Sequence, residues 1–149
     1  HYSLKRLAFF LQRLGLEVPV HPLASESFLP AAGQGVLAIE IRAGDEGTRQ
    51  RIAPLHDSLA AMTASAERAF VHALDASCTA PVAAWCRMEE THLRFDGLVA
   101  SLDGRQILRE TLTGEPACAE ALGRDVASLL LDQGAAEILA EVERGIWTG

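Results

Sequence analysis

Three strand-patterned runs follow one another almost without interruption, and helix-patterned runs flank them on both sides. The runs are PVAAWCRM (81–88), HLRFDGLVAS (92–101) and RQILRETLT (105–113). Side chains of a strand alternate between two faces, so alternation of this kind marks a half-buried sheet. Asp103-Gly104 is a two-residue hairpin signal between the second and third runs. Upstream, Leu59, Met62, Ala66, Ala69, Phe70 and Ala73 recur at helical spacing, with Asp57 or Ser58 placed to cap the start. Downstream, Pro116 suits a first helical turn, where a missing N–H costs no hydrogen bond. Leu122, Val126, Leu129 and Leu130 then share one side, Gly134 interrupts, and AAEILAEVERG (135–145) resumes as a final helix. The order α-β-β-β-α-α over residues 56–149 predicts an α+β domain, a three-stranded antiparallel sheet with helices on one face.

Residues 1–50 read differently. Leu4, Leu7, Ala8, Leu11 and Leu14 form an apolar stripe that predicts a helix over 3–14, with Gly15 as its stop. Pro19 and Pro22 keep the chain extended after it. LPAAGQG (29–35) is turn-rich and leads into VLAIEIR (36–42), a nearly continuous apolar run of the kind buried on both faces. DEGTRQRIAPL (45–55) predicts a short helix. One helix and one such strand cannot close a core. Residues 1–50 are therefore expected to be the incomplete tail of upstream α/β domains. Without those domains, residues 36–42 should offer strand edges or an apolar face, which predicts self-association, strand exchange or disorder within 1–50.

Composition narrows the function classes. Hydrophobic residues make up 49% and charged residues 22%, as in soluble globular chains. A net charge of -7, from 13 Lys+Arg against 20 Asp+Glu, argues against nucleic acid or an anionic membrane as partner. No apolar run approaches the roughly 20 residues of a membrane span, and Gln12 and Arg13 break the only stretch resembling a secretory signal. Three cysteines without a CxxC fit neither a disulfide framework nor a zinc site, which points to a reducing cytoplasm. His21, His56, His72 and His92 show no metal-ligand spacing, so no metal is expected.

The cysteines separate by position. Cys86 is in strand phase with Val82, Ala84 and Met88 and should face a core. Cys118 stands four residues before Leu122 and eight before Val126, which places it on that helix's apolar stripe. Cys78, in DASCTAP (75–81), falls in the junction between helix and strand, where it is either a small filler or a point of covalent attachment. A helix C-terminus disfavours a thiolate and no histidine is adjacent in sequence, so a Cys-His hydrolase is not indicated. GQG (33–35) has two readings. It is a tight turn needing glycines to enter a strand, or it brings backbone N–H groups and the Gln34 amide to a ligand. With no lysine following and an incomplete glycine fingerprint, the residues alone favour the turn.

FLPAAGQGVLAIEIR (28–42), SAERAFVHALDASCTAPVAAW (65–85), DGLVASLDG (96–104) and LLLDQGAAEILAEV (129–142), in that order, resemble the hydroxymethylbilane synthase, or porphobilinogen deaminase, family. The resemblance covers nearly the whole chain and corresponds to the C-terminal half of such an enzyme. It implies a transferase of tetrapyrrole and heme biosynthesis that joins four porphobilinogen units into hydroxymethylbilane with release of ammonia. It also implies a dipyrromethane cofactor held by a thioether, here on Cys78. Porphobilinogen that has lost ammonia is a strong electrophile, so such a thiol needs no depressed pKa. Gln34 and Gly35 would then lie near the substrate cleft. The family's catalytic aspartate and most of its substrate-binding arginines belong to the N-terminal half, so no catalytic residue is assigned in this chain, and the chain alone is expected to be inactive. In the family's three-domain architecture, residues 1–27 would end the second domain, 28–50 return to the first and 56–149 form the third, making the N-terminal half the principal partner.

One feature departs from the family. Two glycines usually precede the cofactor cysteine, and Ala76 and Ser77 stand there instead. If either position required φ > 0, its side chain would cost about 1 kcal/mol or more. Two other readings remain alongside the enzyme: a non-catalytic tetrapyrrole-binding or regulatory module, and a structural α+β association domain.

Overall fold

A computed structural model describes residues 13–15, 23–77 and 79–146, without the side chains of 143, 145 and 146. Strands β1 (Val82–Glu89), β2 (His92–Ala100) and β3 (Ile107–Gly114) form one antiparallel sheet in that order. Cys86 stands opposite Phe95, and Phe95 opposite Leu112. This register puts Ala84, Cys86, Leu93, Phe95 and Val99 on one face, where all are buried. Helix α1 (Glu46–Ile52) continues into a 3-10 turn at Ala53–Leu55, and α2 (Ser58–Ala73) follows. A second 3-10 turn, Pro116–Cys118, opens α3 (Ala119–Asp132), and α4 (Ala135–Ile146) comes last. Helices α2 and α3 lie on the buried face of the sheet, with α4 beside them. The α+β architecture expected from periodicity is the one observed.

Sequence explains the local starts and stops. Asp57 caps α2 by accepting the Ala60 N–H at 3.0 Å, and Asp45 caps α1 by accepting the Thr48 N–H at 2.9 Å. Pro116 opens its turn as expected. In the core, Phe70 of α2 meets Phe95 of β2 with ring centroids 5.2 Å apart and planes tilted by 53°. Two glycines permit this closeness. A Cβ on Gly97 would stand 2.7 Å from Val126 Cγ1 and 2.8 Å from Phe70 Cε2. One on Gly123 would stand 2.1 Å from the Ala66 carbonyl oxygen, where α3 crosses α2.

Several expectations need correction. Residues 36–42 form no strand. Val36, Leu37 and Ile39 are 43%, 87% and 55% exposed, because a strand of this type needs neighbours on both edges and none lies beside it among the described residues. That exposure agrees with the apolar face expected for this segment in isolation. Cys118 is exposed rather than core, because the α-helix starts one residue later and Ala119 takes the buried position. Leu129 likewise lies off the buried stripe of α3, which runs through Leu122, Val126 and Leu130. Asp103-Gly104 is not a two-residue hairpin. Ser101 N–H donates to the Gln106 carbonyl at 2.9 Å, and Gln106 N–H donates to Ser101 Oγ at 3.0 Å. The Ser101 hydroxyl thus replaces a ladder carbonyl and widens the loop. Asp103 accepts from Ser101 Oγ and Arg105 N–H within it. The helix expected over 3–14 and the prolines at 19 and 22 lie outside the described residues, apart from Arg13–Gly15, where Gly15 has φ 67.

The sheet's other face carries a polar cluster the sequence reading did not isolate. Asp96, 2% exposed, accepts from Arg87 Nη1 at 2.6 Å, Thr111 Oγ1 at 2.6 Å and Arg109 Nη2 at 3.2 Å. Arg94 Nε stands 3.5 Å from the same carboxylate. The Arg87 guanidinium also lies 3.9 Å above the Trp85 ring. Burial pushes the Asp96 carboxyl up, but hydrogen bonds from Thr111, Arg87 and Arg109 outweigh it and hold the group down at about 2.

Candidate functional site

The junction carrying Cys78 begins where α2 ends. Asp75 adopts φ 51 and its N–H bonds to the His72 carbonyl at 3.1 Å. Ala76 N–H reaches back to the Val71 carbonyl at 3.2 Å, closing the helix end. Position 78 itself lies outside the described residues. Its neighbours define the loop. Ser77 and Thr79 are exposed, their hydroxyls 3.0 Å apart, and Ala80 N–H bonds to the Ser77 carbonyl at 3.1 Å. Val82 then enters β1. Neither Ala76 nor Ser77 has positive φ. The left-handed corner falls one residue earlier, on Asp75, one of the few non-glycine types that tolerate it. The feared cost of lacking glycines at 76 and 77 is therefore not incurred there.

The second feature is the turn of residues 29–35. Gly33 and Gly35 have φ 71 and 86, conformations open to glycine. Gln34 N–H bonds to the Ala31 carbonyl at 3.0 Å, and Gln34 Oε1 accepts the Ala31 N–H at 3.2 Å. The Gln34 side-chain carbonyl therefore folds back on its own turn. Gln34 and Gly35 are both exposed.

Glu67 joins this turn to the domain. Its Oε2 accepts the Gly33 N–H at 2.7 Å and its Oε1 accepts the Cys86 N–H at 2.8 Å. Burial raises the Glu67 carboxyl, and the two backbone donors partly oppose that rise. Two further bonds hold the same stretch. Ala84 N–H donates to the Pro30 carbonyl at 3.0 Å, and Arg109 Nη1 donates to the Glu26 carbonyl at 2.7 Å. Residues 26–33 thus run as a strap fixed to β3, β1 and α2. Cys86 is buried, as its strand phase required. Burial, then the Glu67 charge, pushes its thiol up to about 12, against a smaller opposing effect of Arg87, which makes it inert as a nucleophile. Sequence reasoning missed Glu67. Its one signal was a charged residue set directly between Ala66 and the stripe residues that follow.

Two family models match the chain in order. "Porphobilinogen deaminase, dipyromethane cofactor binding domain" matches residues 7–50, and "Porphobilinogen deaminase, C-terminal domain" matches residues 61–132. Among curated relatives, the porphobilinogen deaminase of Moorella thermoacetica is 43% identical over 132 residues, 89% of this chain and 41% of the relative. That of Syntrophobacter fumaroxidans is 39% identical over 135 residues, 90% of this chain and 44% of the relative. The porphobilinogen deaminase of Syntrophotalea carbinolica is 45% identical over 121 residues, 81% of this chain and 38% of the relative. The chain spans about two fifths of the length of these relatives. Among the described residues, no helix is long and apolar enough to cross a membrane. With two models of one family matched in order along the chain, and relatives of that family 39–45% identical over most of it, the chain belongs to the porphobilinogen deaminase family.

Proposed function

We propose that this chain is the C-terminal part of a cytoplasmic enzyme that joins four porphobilinogen units into hydroxymethylbilane, releasing ammonia at each addition. The match of residues 61–132 to the family's C-terminal domain carries the reading, because it spans the loop on both sides of Cys78. When bound, dipyrromethane supplies the pyrrole end to which substrate units are added. Cys78 would hold it through a thioether at its Sγ. The loop fits such a group. Residues 77 and 79 carry exposed hydroxyl side chains, while Ala76 packs back against the core. No lysine or arginine stands among residues 74–80, so cations for the cofactor's carboxylates come from outside this loop. Gln34 and Gly35 are assigned to the edge of the substrate cleft on the strength of their exposure and of the strap that fixes them. The break between the two family models, after residue 50 and before 61, supports separating an upstream segment at 1–50 from the cysteine-bearing domain at 56–149.

Intact-protein mass measurement tests the assignment. Expressed with the N-terminal half that completes the family length, the wild type should carry the mass of a two-pyrrole adduct. Cys78→Ser should carry none and form no hydroxymethylbilane. An unmodified, inactive wild type would refute the cofactor assignment and favour a non-catalytic binding module. The exposed Val36, Leu37 and Ile39 also support self-association of the chain when it stands alone.

A further inference from the structure

We infer that Glu67 is a positioning residue, a single buried carboxylate that fixes the Gln34–Gly35 turn against α2 and β1, the two elements between which the chain segment carrying Cys78 is strung. The inference rests on the reading above that the turn and that segment belong to one site. The geometry is specific. Glu67 is 8% exposed, and its two oxygens serve two different chain segments, the turn at Gly33 and the strand at Cys86. In sequence, position 78 falls between Glu67 and its partner in β1, eleven residues after the one and eight before Cys86. The bond to Cys86 thereby ties α2 to β1, the helix before the loop and the strand after it.

A carboxylate suits this task because it only accepts, and both groups presented to it are donors. An amide in its place offers one oxygen and one donor nitrogen, so one backbone N–H meets another donor. The Pro30–Ala84 bond sits two residues from Cys86 on the same strand edge. That bond alone leaves the turn free to swing about Ala31 and Ala32, and Glu67 fixes it beyond that point. The exposed segment from Val36 onward therefore leaves the domain in a direction set at Gly33 and Gly35.

Amide hydrogen exchange on the chain tests this without reference to catalysis. In Glu67→Gln, exchange at Gly33, at Cys86 or at both should rise roughly tenfold or more, the loss of one charge-assisted bond. Phe95 and Val99, inside β2, should keep their protection. An even rise across all three strands, or none at Gly33 and Cys86, would overturn the inference. If the variant does not fold, the wild type still decides. The Gly33 and Cys86 amide resonances should shift together through one inflection, that of the Glu67 carboxyl, while the Cys86 thiol titrates far above it. Separate or absent inflections would overturn the inference as well. In the protein of family length, Glu67→Gln should retain the adduct on Cys78 yet form product at least about tenfold more slowly. An active wild type with an equally active variant would refute the positioning role. A wild type lacking both adduct and product would refute the proposed function instead, and the exchange result would be judged separately.

Discussion

Replacing Asp96 by asparagine removes one charge from the sheet's outer face while keeping shape and an acceptor oxygen. The carboxyl moves from its ordinary 3.8 to about 2 on folding, which corresponds to roughly 2–3 kcal/mol of stability near neutral pH. Its folded pKa is depressed, so the contribution is present above about 4 and is lost as pH falls toward about 2. At pH 3 roughly half of it should remain. Urea denaturation followed by circular dichroism should therefore show Asp96→Asn less stable than wild type by roughly 2–3 kcal/mol at pH 7, and by about half that at pH 3. Glu67 has the opposite sign. Its folded pKa is raised, so its contribution is greatest below the ordinary glutamate range and declines as pH rises through the raised value. Being common to both proteins, it cancels in the difference. A gap that stays constant from pH 7 to pH 3, or that is absent at pH 7, would show that the arginine and threonine bonds do not hold this carboxylate ionised.

Gly123→Ala should destabilise the domain by about 1–3 kcal/mol or more, because the new methyl meets a backbone carbonyl that moves only if α2 and α3 separate. Thermal unfolding checks it, and an unchanged Tm would contradict the close crossing. Phe70→Ala should cost about 3–5 kcal/mol, read from the same urea curves, since a ring buried against Phe95 leaves a cavity. Leu37→Glu should reduce self-association of the isolated chain in sedimentation velocity, and a wild type that is monomeric at all concentrations would refute the association.

The elements that periodicity could see are those whose burial is decided locally. The stripe of α2 and the alternation of β1 to β3 depend on one packed face, and period alone reveals one packed face. VLAIEIR forms no strand here because a run apolar on both faces needs neighbours on both edges, and the expected exposed apolar face is what remains of it. Cys118 was misplaced by a single residue, since a 3-10 turn shifts the phase of the stripe before the α-helix starts. The hairpin signal at Asp103-Gly104 was overruled by Ser101, whose hydroxyl offers the backbone an alternative partner. Glu67 and Asp96 were invisible for another reason. A buried carboxylate is identified by the donors around it, and those come from residues 33 and 86 in one case and 87, 109 and 111 in the other. At the candidate site, the residue types of the junction were legible from the sequence, but the anchoring of the turn was not.

The left-handed corner at Asp75 shifts where the junction tolerates change. At exposed position 77, alanine or threonine should leave the chain's path intact, because the reversal has already been made upstream. A β-branched residue at 75 would instead have to open the end of α2, redirecting the loop from its root even though every side chain beyond it was untouched.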